Sequence, residues 1–148
     1  MSTYNTRLAS TGAAAAALRV VRANGLDQTF FFRDLDVNHT DFAARIRLYP
    51  DAPGVPLLTP SLSGDNITQT YAEWIADEIL TPAHLPEGAA LTDTETISSL
   101  TLSVTAEQMN ALPRATIRSE PLDLAYAITF GPDDALLVGG TLTIIETA

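Results

Sequence analysis

The sequence has no cysteine and no lysine among its 148 residues, and it has only two histidines. The absence of cysteine excludes disulfides, zinc–thiolate sites and thiol nucleophiles. No apolar run approaches the roughly 18 residues that a membrane-spanning helix needs, so we predict no membrane contact. His39 and His84 are far apart in the chain and lie in polar, turn-like contexts. We therefore predict no metal site and no cofactor.

Positive charge is also scarce. All eight basic residues are arginine, against 18 acidic residues, which gives a net charge of -10. A surface of this kind is unsuited to nucleic acid, whose protein partners are basic. Residues 1–74 have a net charge of -1 and residues 75–148 of -9, with no basic residue between Arg47 and Arg114. Two interpretations stay open: a solvated acidic face, or a polar chain that offers an arginine-bearing face and an acidic face to neighbouring subunits.

Catalytic motifs are missing as well. The sequence has no nucleophile elbow, no Walker loop and no dinucleotide-binding fingerprint. The carboxylate pairs Asp34 with Asp36 and Asp133 with Asp134 lie beside turns, where aspartate is favoured for hydrogen bonding to the backbone. We therefore predict that the chain is not an enzyme. The alternative, a hydrolase, would need a serine, a histidine and an aspartate brought together by folding.

The chain length fits one domain. Residues 1–15 are small, polar and alanine-rich, so we predict a flexible or partner-bound N-terminal arm rather than a secretory signal. For residues 16–148 we predict a single, mainly β domain, an antiparallel β-sandwich (immunoglobulin-like) or open barrel. It would have six or seven strands and two short helices. A strand at Leu18 to Val21 competes with a helix over Ala13–Ala23, and Asn24-Gly25 predicts a turn.

Alternating side chains locate several strands. In "DFAARIRLYP" the apolar positions are predicted to face the core, namely Phe42, Ala44, Ile46 and Leu48. The intervening positions would face outward, namely Ala43, Arg45, Arg47 and Tyr49. The same alternation predicts strands in "SLTLSVT", "LDLAYAITF" and "ALLVGGTLTII", the last with a bulge or twist at Gly139-Gly140.

Helical spacing interrupts this strand pattern in "GDNITQTYAEWIADEIL". We predict a helix over about 65–80, begun by Asp65 or Asn66, within a helical insertion at about 63–96. Tyr71 and Trp74 are interpreted as core anchors of this helix, or, with Tyr49, as residues that stack on a sugar. In "TAEQMNALP", Thr105 and Gln108 form a capping box that predicts a second short helix, ended by Pro113.

The order of the segments "TFFFRDLDV", "YPDAPG", "LTLSVTAEQMNALP" and "LAYAITFGPDDALLVGGTLTI" resembles a known family. It is similar to the small β-sandwich domain of bacteriophage tail and baseplate proteins, in particular the N-terminal domain of baseplate upper proteins and tail-fibre attachment proteins. The resemblance covers about residues 16–62 and 97–146. The chain departs from the family at Tyr126-Ala127, where the family often has Tyr-Asp, and in the segment 63–96, which looks like an insertion.

The resemblance implies a structural virion protein that acts in tail tip or baseplate assembly or in tail-fibre attachment. It would reside in the tail region of the particle, after assembly in the host cytoplasm. Its partners would be other tail, baseplate or fibre proteins and further copies of itself. The candidate interface residues are Arg45, Arg47, Tyr49, Tyr71 and Trp74, and arginine suits bidentate pairing with carboxylates of a neighbour. The alternatives are a capsid decoration or head-fibre protein and a carbohydrate-binding module.

Overall fold

Two β-sheets pack face to face in the computed structural model, which describes residues 8–9, 14–33, 35–37, 41–115 and 120–146. Within these ranges the strands are β1 Leu8–Ala9, β2 Ala14–Ala15, β3 Leu18–Val21, β4 Leu26–Phe32, β5 Phe42–Arg47, β6 Ser61–Thr70, β7 Thr94–Val104, β8 Leu122–Phe130 and β9 Ala135–Ile145. The α-helices are α1 Tyr71–Ala76 and α2 Ala106–Asn110. The predicted mainly β sandwich with two short helices is confirmed. No helix in the described ranges is long and apolar enough to cross a membrane.

Sheet A has the strand order β1-β4-β7-β6, and sheet B has the order β2-β9-β8-β5, with β3 also beside β9. The long strands pair antiparallel, whereas the N-terminal strands β1, β2 and β3 pair parallel to their neighbours. The predicted turn at Asn24-Gly25 therefore carries the chain from sheet B to sheet A instead of closing a hairpin. Gly25 has a φ of 68°, and a Cβ there would lie 2.6 Å from the Val104 carbonyl oxygen, so only glycine fits.

The main core lies between the two sheets. Alternate residues of the strands point into it, as predicted for β5, β7 and β8: the buried set includes Phe30, Phe32, Leu100, Leu102, Val104, Ala44, Ile46, Leu124, Tyr126 and Ile128. Phe30 of sheet A stacks with Tyr126 of sheet B at a ring-centroid distance of 6.5 Å. The capping box of α2 is present as predicted, and its Met109 is fully buried. One orientation was wrong: Leu48 is 50% exposed, because β5 ends at Arg47 and the chain turns away.

The predicted helix start at Asp65 or Asn66 is also wrong. Residues 61–70 form an edge strand whose whole length pairs with β7, so their backbone groups bond to the sheet and not along a helix. The helix begins after Thr70, whose hydroxyl accepts from the Glu73 amide at 3.2 Å while the Glu73 carboxylate accepts from the Thr70 amide. The segment 63–96 thus begins and ends as paired strand, over 63–70 and 94–96, and a short helix, a 3-10 turn and loops lie between.

The N-terminal segment runs along β9. Ala14–Ala15 and Leu18–Val21 pair parallel with it, so the competing helix over Ala13–Ala23 is wrong. Most of residues 1–15 lie outside the described ranges, and the arm stays a prediction. The glycines of β9 permit the approach of this segment, because a Cβ on Gly140 would collide with the Ala16 backbone. The bulge predicted at Gly139-Gly140 of β9 lies elsewhere: the register shifts between Ile128 and Thr129 of β8, which leaves Leu137 of β9 as the extra residue.

Candidate functional site

The outer face of sheet B holds an open cleft of about 640 Å³. We call it the trough, and its lining includes Arg45, Arg47, Ala125, Ala127, Asp134 and Leu136. The strand register builds it: Arg45 lies opposite Ala127, which in turn lies opposite Gly139, and Arg47 lies opposite Ala125. Because the middle positions have small side chains, the arginines of β5 form a wall above an open floor.

The two arginines of the trough differ in how their charge is balanced. Arg45 lies 3.6 Å from an Asp134 carboxylate oxygen and donates to the Thr129 hydroxyl at 3.2 Å. Asp134 is 61% exposed, so this ion pair contributes little. Arg47 donates to the carbonyl oxygens of Gly54 at 2.9 Å and Ala52 at 3.3 Å. It has no carboxylate partner among the described residues, so the positive charge of its guanidinium group is not balanced at the trough.

Large exposed apolar side chains occur in this cleft and in the loop that joins it after β5. Of the six large apolar residues that are exposed in the described part of the chain, four lie in the loop after β5 and one, Leu136, lines the trough itself. The loop residues are Leu48, Tyr49, Val55 and Leu57, and their exposed fractions range from 43% to 91%. Pro50 and Asp51 of the same loop also line the trough. We call these five apolar residues the rim.

The outer face of sheet A carries a different structure. After Thr70 the chain folds α1 back over this face, and a second buried cluster forms from Tyr71, Trp74, Ile79, Leu80 and Ile97. Phe31 and Ile67 of the sheet pack against it. Trp74 is 1% exposed, and its indole N–H donates to the Glu95 carbonyl oxygen at 3.0 Å. We call residues 71–93 the acidic cap.

An ion-pair network fastens the acidic cap to sheet A. Arg33 donates to both carboxylate oxygens of Glu95, at 2.7 and 2.6 Å, and the Tyr71 hydroxyl donates to one of them at 2.9 Å. The Arg33 hydrogen bonds hold the pKa of Glu95 below its ordinary value although burial opposes them. Burial, reinforced by the bond to Glu95, raises the pKa of Tyr71. At neutral pH, Glu95 is therefore an ionised acceptor and Tyr71 a neutral donor.

The acidic cap contains five acidic residues and neither lysine nor arginine. Two of them serve the local backbone: Glu73 in the α1 capping box and Asp93 as acceptor from the Ala90 amide at 2.9 Å. The other three, Asp77, Glu78 and Glu87, are exposed and make no side-chain hydrogen bond or ion pair with any residue that the structure describes. Their negative charge faces solvent uncompensated.

The structure separates the predicted interface residues into two groups. Arg45 and Arg47 line the trough, and Tyr49 is the exposed loop residue that precedes the lining residue Pro50. Tyr71 and Trp74 belong to the acidic cap, on the other side of the sandwich, and are buried between the cap and sheet A. Their interpretation as core anchors is therefore confirmed. Neither ring is available to stack on a sugar in this structure.

Among the residues that the structure describes, the other candidate groups form no second site. Asp133 and Asp134 lie in the predicted turn. Asp34 and His39 fall outside the described residues. Within the described ranges no three acidic or histidine side chains are grouped so as to hold a metal ion. The arrangement therefore favours binding through charge and apolar area.

Sequence reasoning missed part of this arrangement. The alternation in "LDLAYAITF" placed Ala125 and Ala127 on the outer face, but their small size was not recognised as the floor of a cleft. The helical spacing over 65–80 includes Asp77 and Glu78 but does not distinguish them from other exposed acids. The signal for them was the absence of basic residues between Arg47 and Arg114.

No family model matches the chain, and no curated protein matches it. One solved structure is described as "Structure of PbICP-C in complex with falcipain-2". A chain in it aligns with 94% of the present chain, and the alignment covers 98% of that other chain. The two are 9% identical, with a TM-score of 0.27. Similarity at this level carries no argument about fold or function, and the likeness to phage tail domains stays a prediction.

Proposed function

We propose that the chain is a non-enzymatic structural protein of a tailed phage or phage-like particle. It acts in the tail tip, the baseplate or the attachment of tail fibres, and it acts through protein–protein contacts. The observation that carries this proposal is the trough with its rim. A cleft that offers arginine, next to a loop with several large exposed apolar side chains, is typical of protein interfaces.

The placement in a phage tail rests on the resemblance of the sequence segments. The two longest of those segments form the successive elements β7, α2, β8 and β9, which contribute to both sheets. Two features predicted for them are present, namely the Thr105–Gln108 capping box and the turn at 131–134. A rigid sandwich built from these elements suits a part that must hold its neighbours in fixed positions.

The burial of Tyr71 and Trp74 weakens one of the two alternative functions and does not affect the other. A carbohydrate-binding module loses Tyr71 and Trp74, which are buried, and keeps only Tyr49, which is 52% exposed. A capsid decoration or head-fibre protein would use the same contact chemistry as a tail protein. Only its place in the particle distinguishes it, so that place is what must be measured.

The test is mass spectrometry of purified particles from the source organism, with heads and tails separated. We expect the protein at a fixed stoichiometry in the tail fraction. Its presence only in heads would favour the decoration protein, and its absence from both fractions would refute the proposal. In a matched experiment, deletion of residues 2–15 should leave a folded domain that no longer enters particles. Normal incorporation of the deleted protein would remove the predicted arm from the mechanism.

A further inference from the structure

We propose that the trough of one copy binds the acidic cap of the next copy. The contact is head to tail and repeats around a ring or along a filament. This inference rests on the proposed function, for which it names a partner, a second copy of this chain. It also names the two surfaces that meet.

The two surfaces lie on opposite sides of the sandwich. In sheet A, Phe30 points into the main core whereas its neighbour Phe31 packs under the acidic cap, so the cap covers the outer face. In sheet B, Ala44 and Ile46 are buried in the main core and the arginines between and beyond them point outward. A contact between different surfaces of two copies is heterologous, and such contacts generate rings or filaments rather than two-fold dimers.

The charges of the two surfaces are complementary. The trough presents Arg47, which has no carboxylate partner in the described ranges, and Arg45, whose partner is exposed. The acidic cap presents Asp77, Glu78 and Glu87, which are uncompensated. Arg45 and Arg47 stand two residues apart on one side of a strand, roughly 7 Å along it. In the proposed contact the Asp77 and Glu78 carboxylates pair with these two guanidinium groups, and arginine–carboxylate pairs of this kind are directional.

Glu78 provides an independent reason to assign the cap a role beyond folding. It has a φ of 61°, a left-handed conformation at the end of α1 where glycine is the usual residue. Asp77 and Glu78 also put two negative charges at the carboxyl end of the helix, the end that favours cations. Local stability therefore does not explain either acid. Residues whose type disagrees with the local backbone conformation or helix-end charge, without any gain in stability, are expected at functional surfaces.

Apolar area is available on both surfaces. The trough contributes Leu136, the loop after β5 adds its four exposed apolar side chains, and the acidic cap contributes Leu91, which is 54% exposed. Burial of such side chains supplies most of the affinity in protein interfaces, while charges supply orientation and association rate. The cap is thus suited to enter the trough with its acids against the arginines and its leucine against the rim.

The test is a charge exchange on the purified full-length protein. One variant reverses the trough (Arg45→Glu with Arg47→Glu), and another reverses the cap (Asp77→Arg with Glu78→Arg). Sedimentation velocity at low and high salt measures self-association.

We expect the wild type to associate in a salt-sensitive way. Each variant alone should associate at least tenfold more weakly, because like charges then face each other. A mixture of the two variants restores both kinds of contact and should associate again. Glu107→Arg, a single acid-to-arginine reversal on α2 away from both surfaces, serves as the control and should associate like the wild type.

The outcomes separate this inference from the proposed function. A wild type that stays monomeric at the highest concentration and lowest salt, or variants that remain apart when mixed, would overturn the head-to-tail contact. The cap variant changes only exposed side chains, and its arginines suit the carboxyl end of α1, so its circular dichroism should match the wild type and its stability should be equal or higher. Its unaltered association would therefore count against the proposal even if the trough variant fails to fold. Presence in the tail fraction is measured on particles and stands or falls separately.

Discussion

The indole of Trp74 lies edge-on to the ring of Phe31, with 6.3 Å between ring centroids and 75° between the ring planes. This contact joins the acidic cap to the outer face of sheet A, in a cluster separate from the main core. Trp74 is the only tryptophan in the chain. Its fluorescence therefore reports on the docking of the cap alone.

Phe31→Ala should loosen the acidic cap. Phe31 is half-buried, so the expected loss of unfolding free energy is about 2 kcal/mol, below that of a fully buried phenylalanine. In the folded variant the Trp74 emission should shift to longer wavelength and become accessible to acrylamide. Phe42→Ala is the matched control, since Phe42 is a half-buried phenylalanine packed against the main core. It should lower stability without altering Trp74 emission, and equal shifts in both variants would contradict a separately docked cap.

Glu95→Gln should make stability less dependent on pH in the acid range. The pKa of Glu95 in the folded protein lies below its ordinary value of 4.5, because Arg33 donates two hydrogen bonds to its carboxylate. The stabilisation is therefore complete above the unfolded-state pKa and is lost as the pH falls through the lower folded-state pKa. Urea unfolding from pH 3 to pH 8 should show the wild type more stable than Glu95→Gln by about 1.5–3 kcal/mol at neutral pH.

That difference should shrink below about pH 4.5. Glu107→Gln removes an exposed carboxylate from α2 and should stay within about 0.5 kcal/mol of the wild type over the whole range. A wild-type advantage over Glu95→Gln that persists undiminished at pH 3 would exclude ionisation of Glu95 as its source.

The strand patterns were readable from sequence where one face of a strand is buried. In β5, β7 and β8 the side-chain alternation alone identified the residues that point into the core. The edge strand β6 was misread because its sequence, "SLSGDNITQT", is polar and has little alternation. Ile67 was assigned to a helix by its spacing from Tyr71, but it faces the same cluster from the strand. Periodicity cannot separate these cases when a strand and a helix contribute to one small core.

The trough could not be predicted because it depends on register across three strands. Arg45 and Arg47 were recognised as outward residues, but their relation to Ala125, Ala127 and Gly139 is set by the pairing of β5, β8 and β9. The opposite placement of the acidic cap depends on which face of sheet A receives α1. Neither long-range relationship leaves a local signal in the chain.

Glu146→Gln should destabilise the sandwich through Arg22. The Arg22 guanidinium is 3% exposed, and its Nε lies 3.0 Å from both carboxylate oxygens of Glu146, its acidic partner. Its remaining N–H groups donate to the carbonyl oxygens of Met109, Leu112 and Pro113, which ties the end of β9 to the end of α2. Without the carboxylate a buried cation loses its counter-charge, so we expect a loss of about 1.5–3 kcal/mol in urea unfolding.

Arg114→Gln is the control for this network. Arg114 also contacts Glu146, at 2.6 Å, but it is 53% exposed. Loss of this exposed partner should cost less than about 1 kcal/mol. If Arg114→Gln proves as costly as Glu146→Gln, the buried Arg22 is not the reason for the effect.

Glu78→Gly should make the protein more stable and its self-association weaker. Glycine relieves the left-handed conformation at φ 61°, and after allowance for its greater freedom in the unfolded chain we expect a gain of about 0.5–1 kcal/mol. The same change removes one of the charges that we assign to the contact with the trough. Urea unfolding and sedimentation velocity on the same sample measure the two effects.

Glu87→Gln removes a cap charge without relieving a strained residue, so it should weaken association at unchanged stability. A Glu78→Gly protein that gains stability and still associates like the wild type would show that Glu78 has no part in the contact, because strain relief alone would then account for everything observed.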